Sequence, residues 1–128
     1  MLEGKMEKTL PDVCRGELHI CPDGRNVWLE KNPLTLTRYE FDLLCLLVRH
    51  PGRVFSKEQI YIHVWREEIG IPDNAVQCVI SSLRRKLRKY TDKEYIQTVW
   101  GVGYKFVDVQ GSDPLGCFII QRTTNLIN

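Results

Sequence analysis

Residues 74–90 place the tightest constraint on how this chain folds. At about 100° of turn per residue, Val76, Ile80, Leu83, Leu87 and Tyr90 fall within an arc of roughly 80°. A helix patterned in this way buries that stripe against the rest of its domain. Its opposite side gathers Asn74, Cys78, Ser81, Arg85, Arg88 and Lys89, flanked by Gln77, Ser82 and Arg84. The first half of that outer side is small and polar. The second half is basic, because "RRKLRK" at 84–89 places five positive charges in six residues. The whole chain carries only +2, yet residues 74–107 hold seven basic and two acidic side chains. Cations near a helix C-terminus complement the helix dipole, by about 0.3–1 kcal/mol each when exposed. That effect explains the basic end and leaves the slim first half unexplained. A slim helix with a basic flank is the shape that enters a DNA major groove. Short side chains then meet base edges, while Arg and Lys meet phosphates.

The segments around this helix supply its partners. "TRYE" at 37–40 is a capping box: the Thr37 hydroxyl accepts from the backbone three residues on, and Glu40 reaches back. The helix it opens runs to about Arg49, where "HPG" stops it. Phe41, Leu44, Cys45 and Val48 recur at helical spacing, and Leu43, Leu46 and Leu47 widen the face, so this helix should be the centre of the core. "SKEQ" at 56–59 is a second capping box and opens a helix to about Trp65, with Ile60, Tyr61, Val64 and Trp65 turned inward. An irregular stretch, 66–72, leads to Asp73, the expected N-cap of the third helix. Ahead of the helices, residues 17–20, 26–30 and 34–36 have strand character. The turn signals "CPDGR" and "KNP" join them into an antiparallel meander. Behind the third helix, 94–107 forms a hairpin around "WGVG". Its glycines are not a dinucleotide loop, since position 106 is Phe and no helix follows.

The 128 residues allow one domain with short extensions: a leader or linker at 1–16, the domain at 17–107, and a tail at 108–128 of unassigned role. In the tail, "CFII" has the apolar character to add a strand or to pack on a partner. No apolar run approaches the ~20 residues that span a membrane, and the N-terminus lacks the apolar core of a secretory signal. The five cysteines are odd in number and include no C-x-x-C pair, which points to a reducing, cytoplasmic setting. His19, His50 and His63 lack metal-ligand spacing, so neither metal nor other cofactor is expected. There is no G-x-S-x-G, H-E-x-x-H or P-loop, and Ser56 is accounted for as an N-cap. An enzyme with a small-molecule substrate is therefore not expected, nor is a membrane partner.

Taken in order, "LTRYEFDLLCLLVRHPGRVFSKEQIYIHVW", "DNAVQCVISSLRRKL" and "IQTVWGVGYKF" resemble the OmpR/PhoB-type winged-helix effector domain of two-component response regulators. The resemblance covers residues 17–107. It implies an α+β winged helix-turn-helix: three helices, an N-terminal antiparallel β-meander and a C-terminal β-hairpin wing. It also implies a phosphorelay transcription regulator that binds double-stranded DNA, with helix 74–90 in the major groove and hairpin 95–107 as the wing. By position, Ala75, Cys78 and Ser82 match base-facing places. Lys57, Trp65, Asn74, Ser81, Arg84, Thr98 and Tyr104 match backbone-contacting or adjacent places, and Trp100 is the wing tip. The helical projection adds Arg85 and Arg88 to the phosphate set. The resemblance further implies a homodimer on a direct-repeat site. It also implies an RNA polymerase contact through the loop that carries Glu67, Glu68 and Ile69.

Many members of the family have arginine where this chain has Asn74, Ser81, Ser82 and Trp100. Serine does not make the bidentate guanine contact of arginine, worth about 1–3 kcal/mol. Modest intrinsic affinity is therefore expected, with tandem sites raising it through effective concentration. Cys78 offers a small contact to a thymine methyl or an oxidisable thiol. The competing reading is a winged-helix module that binds protein instead of DNA, through Glu67, Glu68, Ile69 and Ile71.

Overall fold

The computed structural model describes residues 12–107. The rest of the expected leader, the tail with its "CFII" segment, and Cys117 lie outside the described residues. Four short strands come first: β1 (Val13–Arg15), β2 (Leu18–Cys21), β3 (Asn26–Leu29) and β4 (Asn32–Leu34). They pair in sequence order, each antiparallel to the next. Helix α1 (Arg38–Val48) follows, then α2 (Lys57–Ile60), which runs into a wide turn over Tyr61–Trp65. Helix α3 (Ala75–Arg88) and the hairpin of β5 (Ile96–Val99) and β6 (Gly103–Phe106) complete the fold. This is the expected α+β winged helix-turn-helix.

The sheet begins earlier than expected. Val13–Arg15, assigned by sequence to the leader, pairs with β2 in the register Val13↔Ile20 to Arg15↔Leu18. The third expected strand is also shifted. Glu30, at φ 58°, closes a tight turn that sets Asn32 opposite Leu29, so pairing starts at Asn32 and ends at Leu34. Pro33 is accommodated because β4 is an edge strand, where a missing N–H breaks no ladder.

One face of the sheet presents Leu18, Ile20, Val27 and Leu29 to the core. Helix α1 lies across it and buries Phe41, Leu43, Leu44, Leu47 and Val48. Cys45 is half-buried, and burial pushes its thiol up to about 11, as for a small apolar filler. Both capping boxes form: Thr37 with Glu40, and Ser56 with Gln59. The turn after Ile60 is closed by a five-residue bond from Arg66 N to Tyr61 O (3.1 Å). It keeps Val64 and Trp65 on the core and leaves Ile62 exposed.

Helix α3 buries Val76, Ile80, Leu83 and Leu87, as the projection requires. Tyr90 departs from it and is 43% exposed. The helix ends at Arg88, so the 100° projection no longer applies at position 90. The N-cap is Asn74, not Asp73, and it makes no side-chain cap bond. The preceding loop is held from outside instead: the Tyr61 hydroxyl lies 2.6 Å from Pro72 O and 2.9 Å from Asp73 O. Among the described residues no helix is long and apolar enough to cross a membrane.

Candidate nucleic-acid interface

The outer face of α3 forms one continuous surface. Asn74, Gln77, Cys78, Ser81, Arg85, Arg88 and Lys89 are exposed along it. Ala75 is half-buried and packs on the core edge. Lys57 is exposed at the start of α2. Trp65, expected near a nucleic-acid backbone, is 4% exposed. It stacks on Tyr39 (ring centroids 5.0 Å apart) and leans on Tyr61, so it fastens α2 to α1.

The five cations of 84–89 do not share one environment. Arg84 bends back from α3. Its Nε and Nη2 donate to Ile96 O (3.3 and 2.9 Å), and Nη2 also donates to Thr98 Oγ1 (2.8 Å). Its guanidinium lies 5.9 Å from the Tyr104 ring centroid. Thr98 and Tyr104 are cross-strand partners, so three residues matched separately by family position meet in one brace between helix and wing. Lys86 turns to the other flank, donating to Glu40 Oε1 (2.7 Å) and Thr35 O (2.9 Å). Arg88 faces Glu94 at 3.6 Å across an exposed pair, a weak attraction in water. Arg85 and Lys89 form no ion pair among the described residues.

Glu40 is the only buried charged side chain among the described residues, at 3% exposure. Its capping-box role was legible in the sequence, but its grip on α3 was not. Oε1 accepts from Thr37 N (2.9 Å) and from Lys86, and Oε2 accepts from the Ser82 hydroxyl. Burial by itself raises its carboxyl. The hydrogen bonds from Lys86, Ser82 and Thr37, with the Lys86 charge, outweigh that and hold it below the ordinary glutamate value. Ser82, expected to face bases, is thus half-buried with its hydroxyl engaged. No local sequence signal points to this pairing, because Glu40 and Ser82 lie 42 residues apart.

The wing is fixed along β6 and bare at its tip. Phe55 bridges to Tyr104 by Phe55 N to Tyr104 O (2.8 Å) and Tyr104 N to Phe55 O (3.0 Å). Trp100 is 88% exposed at the turn, beside exposed Val102. The loop between α2 and α3 is clamped where Tyr39 Oη donates to Glu68 Oε1 (2.7 Å) and Arg38 pairs with Glu68 (3.4 Å). Glu67 is exposed and Ile69 is 96% exposed at its crest.

Residues 31–106 match the family described as "Transcriptional regulatory protein, C terminal". The transcriptional regulatory protein YcbL of Bacillus subtilis is 41% identical over 90 residues, covering 70% of this chain and 40% of YcbL. The response regulator ArlR of Staphylococcus saprophyticus is 38% identical over 104 residues, covering 81% of this chain and 46% of ArlR. The chain therefore spans less than half the length of these relatives. Among solved structures, the Klebsiella pneumoniae RstA DNA-binding domain in complex with the RstA box superposes with a TM-score of 0.67 at 30% identity. The match covers 76% of this chain and 97% of that one.

Proposed function

Because this chain belongs to the C-terminal domain family of transcriptional regulatory proteins, the OmpR/PhoB-type winged helices, we propose that it binds duplex DNA sequence-specifically as the effector of a two-component response regulator. One observation carries the reading: α3 exposes Cys78, Ser81, Arg85 and Lys89 on one side, while Arg84 ties its other flank to the wing. A rigid helix and wing set at a fixed angle match two adjacent grooves without reorganising.

In this proposal Asn74, Ala75, Cys78 and Ser81 approach base edges or the neighbouring backbone. Arg85, Arg88, Lys89 and Lys57 neutralise phosphates, and Trp100 lies against the minor groove. Ser82, Arg84, Thr98, Tyr104 and Trp65 act mainly by holding these elements in place. The domain is proposed to work in the cytoplasm, as a homodimer on a direct-repeat site, with Glu67 and Ile69 facing RNA polymerase. The residues ahead of β1 are proposed to link it to a preceding segment, and 108–128 to follow it as a tail.

Selection of bound duplexes from a random pool tests the reading. It should yield one motif in two copies at a fixed spacing. With that duplex, log affinity should fall linearly with log salt, and Arg85→Ala should reduce the slope by about 0.9. Recovery of no motif, together with a flat salt dependence, would overturn the proposal. Capture of a protein through the Ile69 loop without DNA would then favour the interaction-module reading.

A further inference from the structure

We propose that Glu40, acting through Ser82, is a positioning residue for Arg85, and that this relay sets the one guanidinium on the exposed face of α3 that makes no ion pair among the described residues. The inference rests on the DNA-binding reading above and deepens it.

The chemistry follows from donor and acceptor inventories. An ionised carboxylate only accepts hydrogen bonds. Glu40 is held ionised by Lys86 and by the backbone N–H of Thr37. The Ser82 hydroxyl hydrogen must therefore point to Glu40 Oε2, which leaves the Ser82 oxygen as an outward-facing acceptor. Arg85, whose guanidinium only donates, places Nη2 3.3 Å from that oxygen. A buried carboxylate on α1 thus dictates the polarity of a hydroxyl on α3, and that hydroxyl anchors an exposed cation one turn further along. Lys86 locks the carboxylate from the far side through its second bond, to Thr35 O.

The consequence is preorganisation. A free arginine samples many rotamers and loses that freedom when it meets a phosphate. An arginine already held by its own helix loses less, which corresponds to about fivefold in affinity for one long side chain. Serine at position 82 thereby contributes to binding without touching DNA.

The test is a double-mutant cycle on affinity for the duplex recovered by pool selection, measured by fluorescence anisotropy. The proteins are the unmodified chain, Ser82→Ala, Arg85→Ala, the double variant, Ser82→Thr and Glu40→Gln. Unfolding midpoints are measured in parallel. Ser82→Ala should weaken binding about fivefold when Arg85 is present and less than twofold when it is absent. Ser82→Thr restores a hydroxyl and should recover affinity to within about twofold. Glu40→Gln, if folded, should reproduce the Ser82→Ala loss, because an amide N–H can turn the hydroxyl around. Equal losses with and without Arg85, or failure of Ser82→Thr to rescue, would overturn the relay even if the unmodified chain binds its duplex. A merely structural Ser82 would shift unfolding midpoints without this coupling. Absence of duplex binding by the unmodified chain would remove the DNA-binding reading and this inference together.

Discussion

Replacing Gly103 by alanine should be the most damaging single-methyl change in the wing. A Cβ at this position would be driven into the Phe55 carbonyl, 2.7 Å from its carbon and 2.9 Å from Ser56 Cα. Both obstacles are backbone, so no side-chain rotation relieves the contact. The strand must move away, and the reciprocal bonds between Phe55 and Tyr104 stretch or break. Two backbone bonds at about 1 kcal/mol net each, with part of the cost of leaving buried groups unpaired, give about 2–4 kcal/mol. Gly101 provides the control. It has φ +80° with nothing within 4 Å of an added Cβ, so Gly101→Ala should cost only about 1–2 kcal/mol of backbone strain. Urea unfolding followed by far-UV circular dichroism compares the two midpoints directly. If Gly103→Ala stays within about 0.5 kcal/mol of the unmodified chain, or proves milder than Gly101→Ala, the close approach of wing and α2 is not what holds the hairpin.

Three further outcomes are expected. Arg66 has φ 57° and ψ −116°, a conformation costly for any side chain, so Arg66→Gly should raise the unfolding free energy by about 1 kcal/mol, read as a higher urea midpoint at unchanged slope. Glu40 and Glu17 are both held below the ordinary glutamate value. For Glu17, bonds from Thr91, Tyr95 and Lys93 overcome the upward push of burial. Their contribution is complete above about pH 4.5 and is lost as pH falls through their native values. Acid unfolding of Glu40→Gln should accordingly show a shallower pH dependence than that of the unmodified chain. Finally, Arg84→Lys keeps the charge but not the planar fork that reaches both Ile96 O and Thr98 Oγ1. Amide exchange should accelerate in β5 and β6 while α1 remains protected, and uniform exchange across the domain would contradict the brace.

Local rules accounted for much of the architecture. The Thr37 and Ser56 capping boxes, the stripe of Val76, Ile80, Leu83 and Leu87, and the hairpin around residues 100–103 all join residues close in sequence, and all are present. The rule weakened where an element is not stable alone. Val13–Arg15 carries little strand signal and becomes one only because β2 offers its edge. Likewise, the β3–β4 turn depends on Glu30 adopting a left-handed conformation that composition does not announce.

The amino-acid order was sufficient to define three helices, a wing and a basic helical back, since those depend on periodicity and on partners within about ten residues. It did not determine where each cation of 84–89 goes. Arg84 reaches Ile96 and Thr98, Lys86 reaches Thr35 and Glu40, and Arg85 remains outside on Ser82. Long flexible side chains go to whichever acceptors packing brings near. For Lys86 those acceptors lie 46 and 51 residues away along the chain. Only the folded core brings such distant groups within 3 Å of one another.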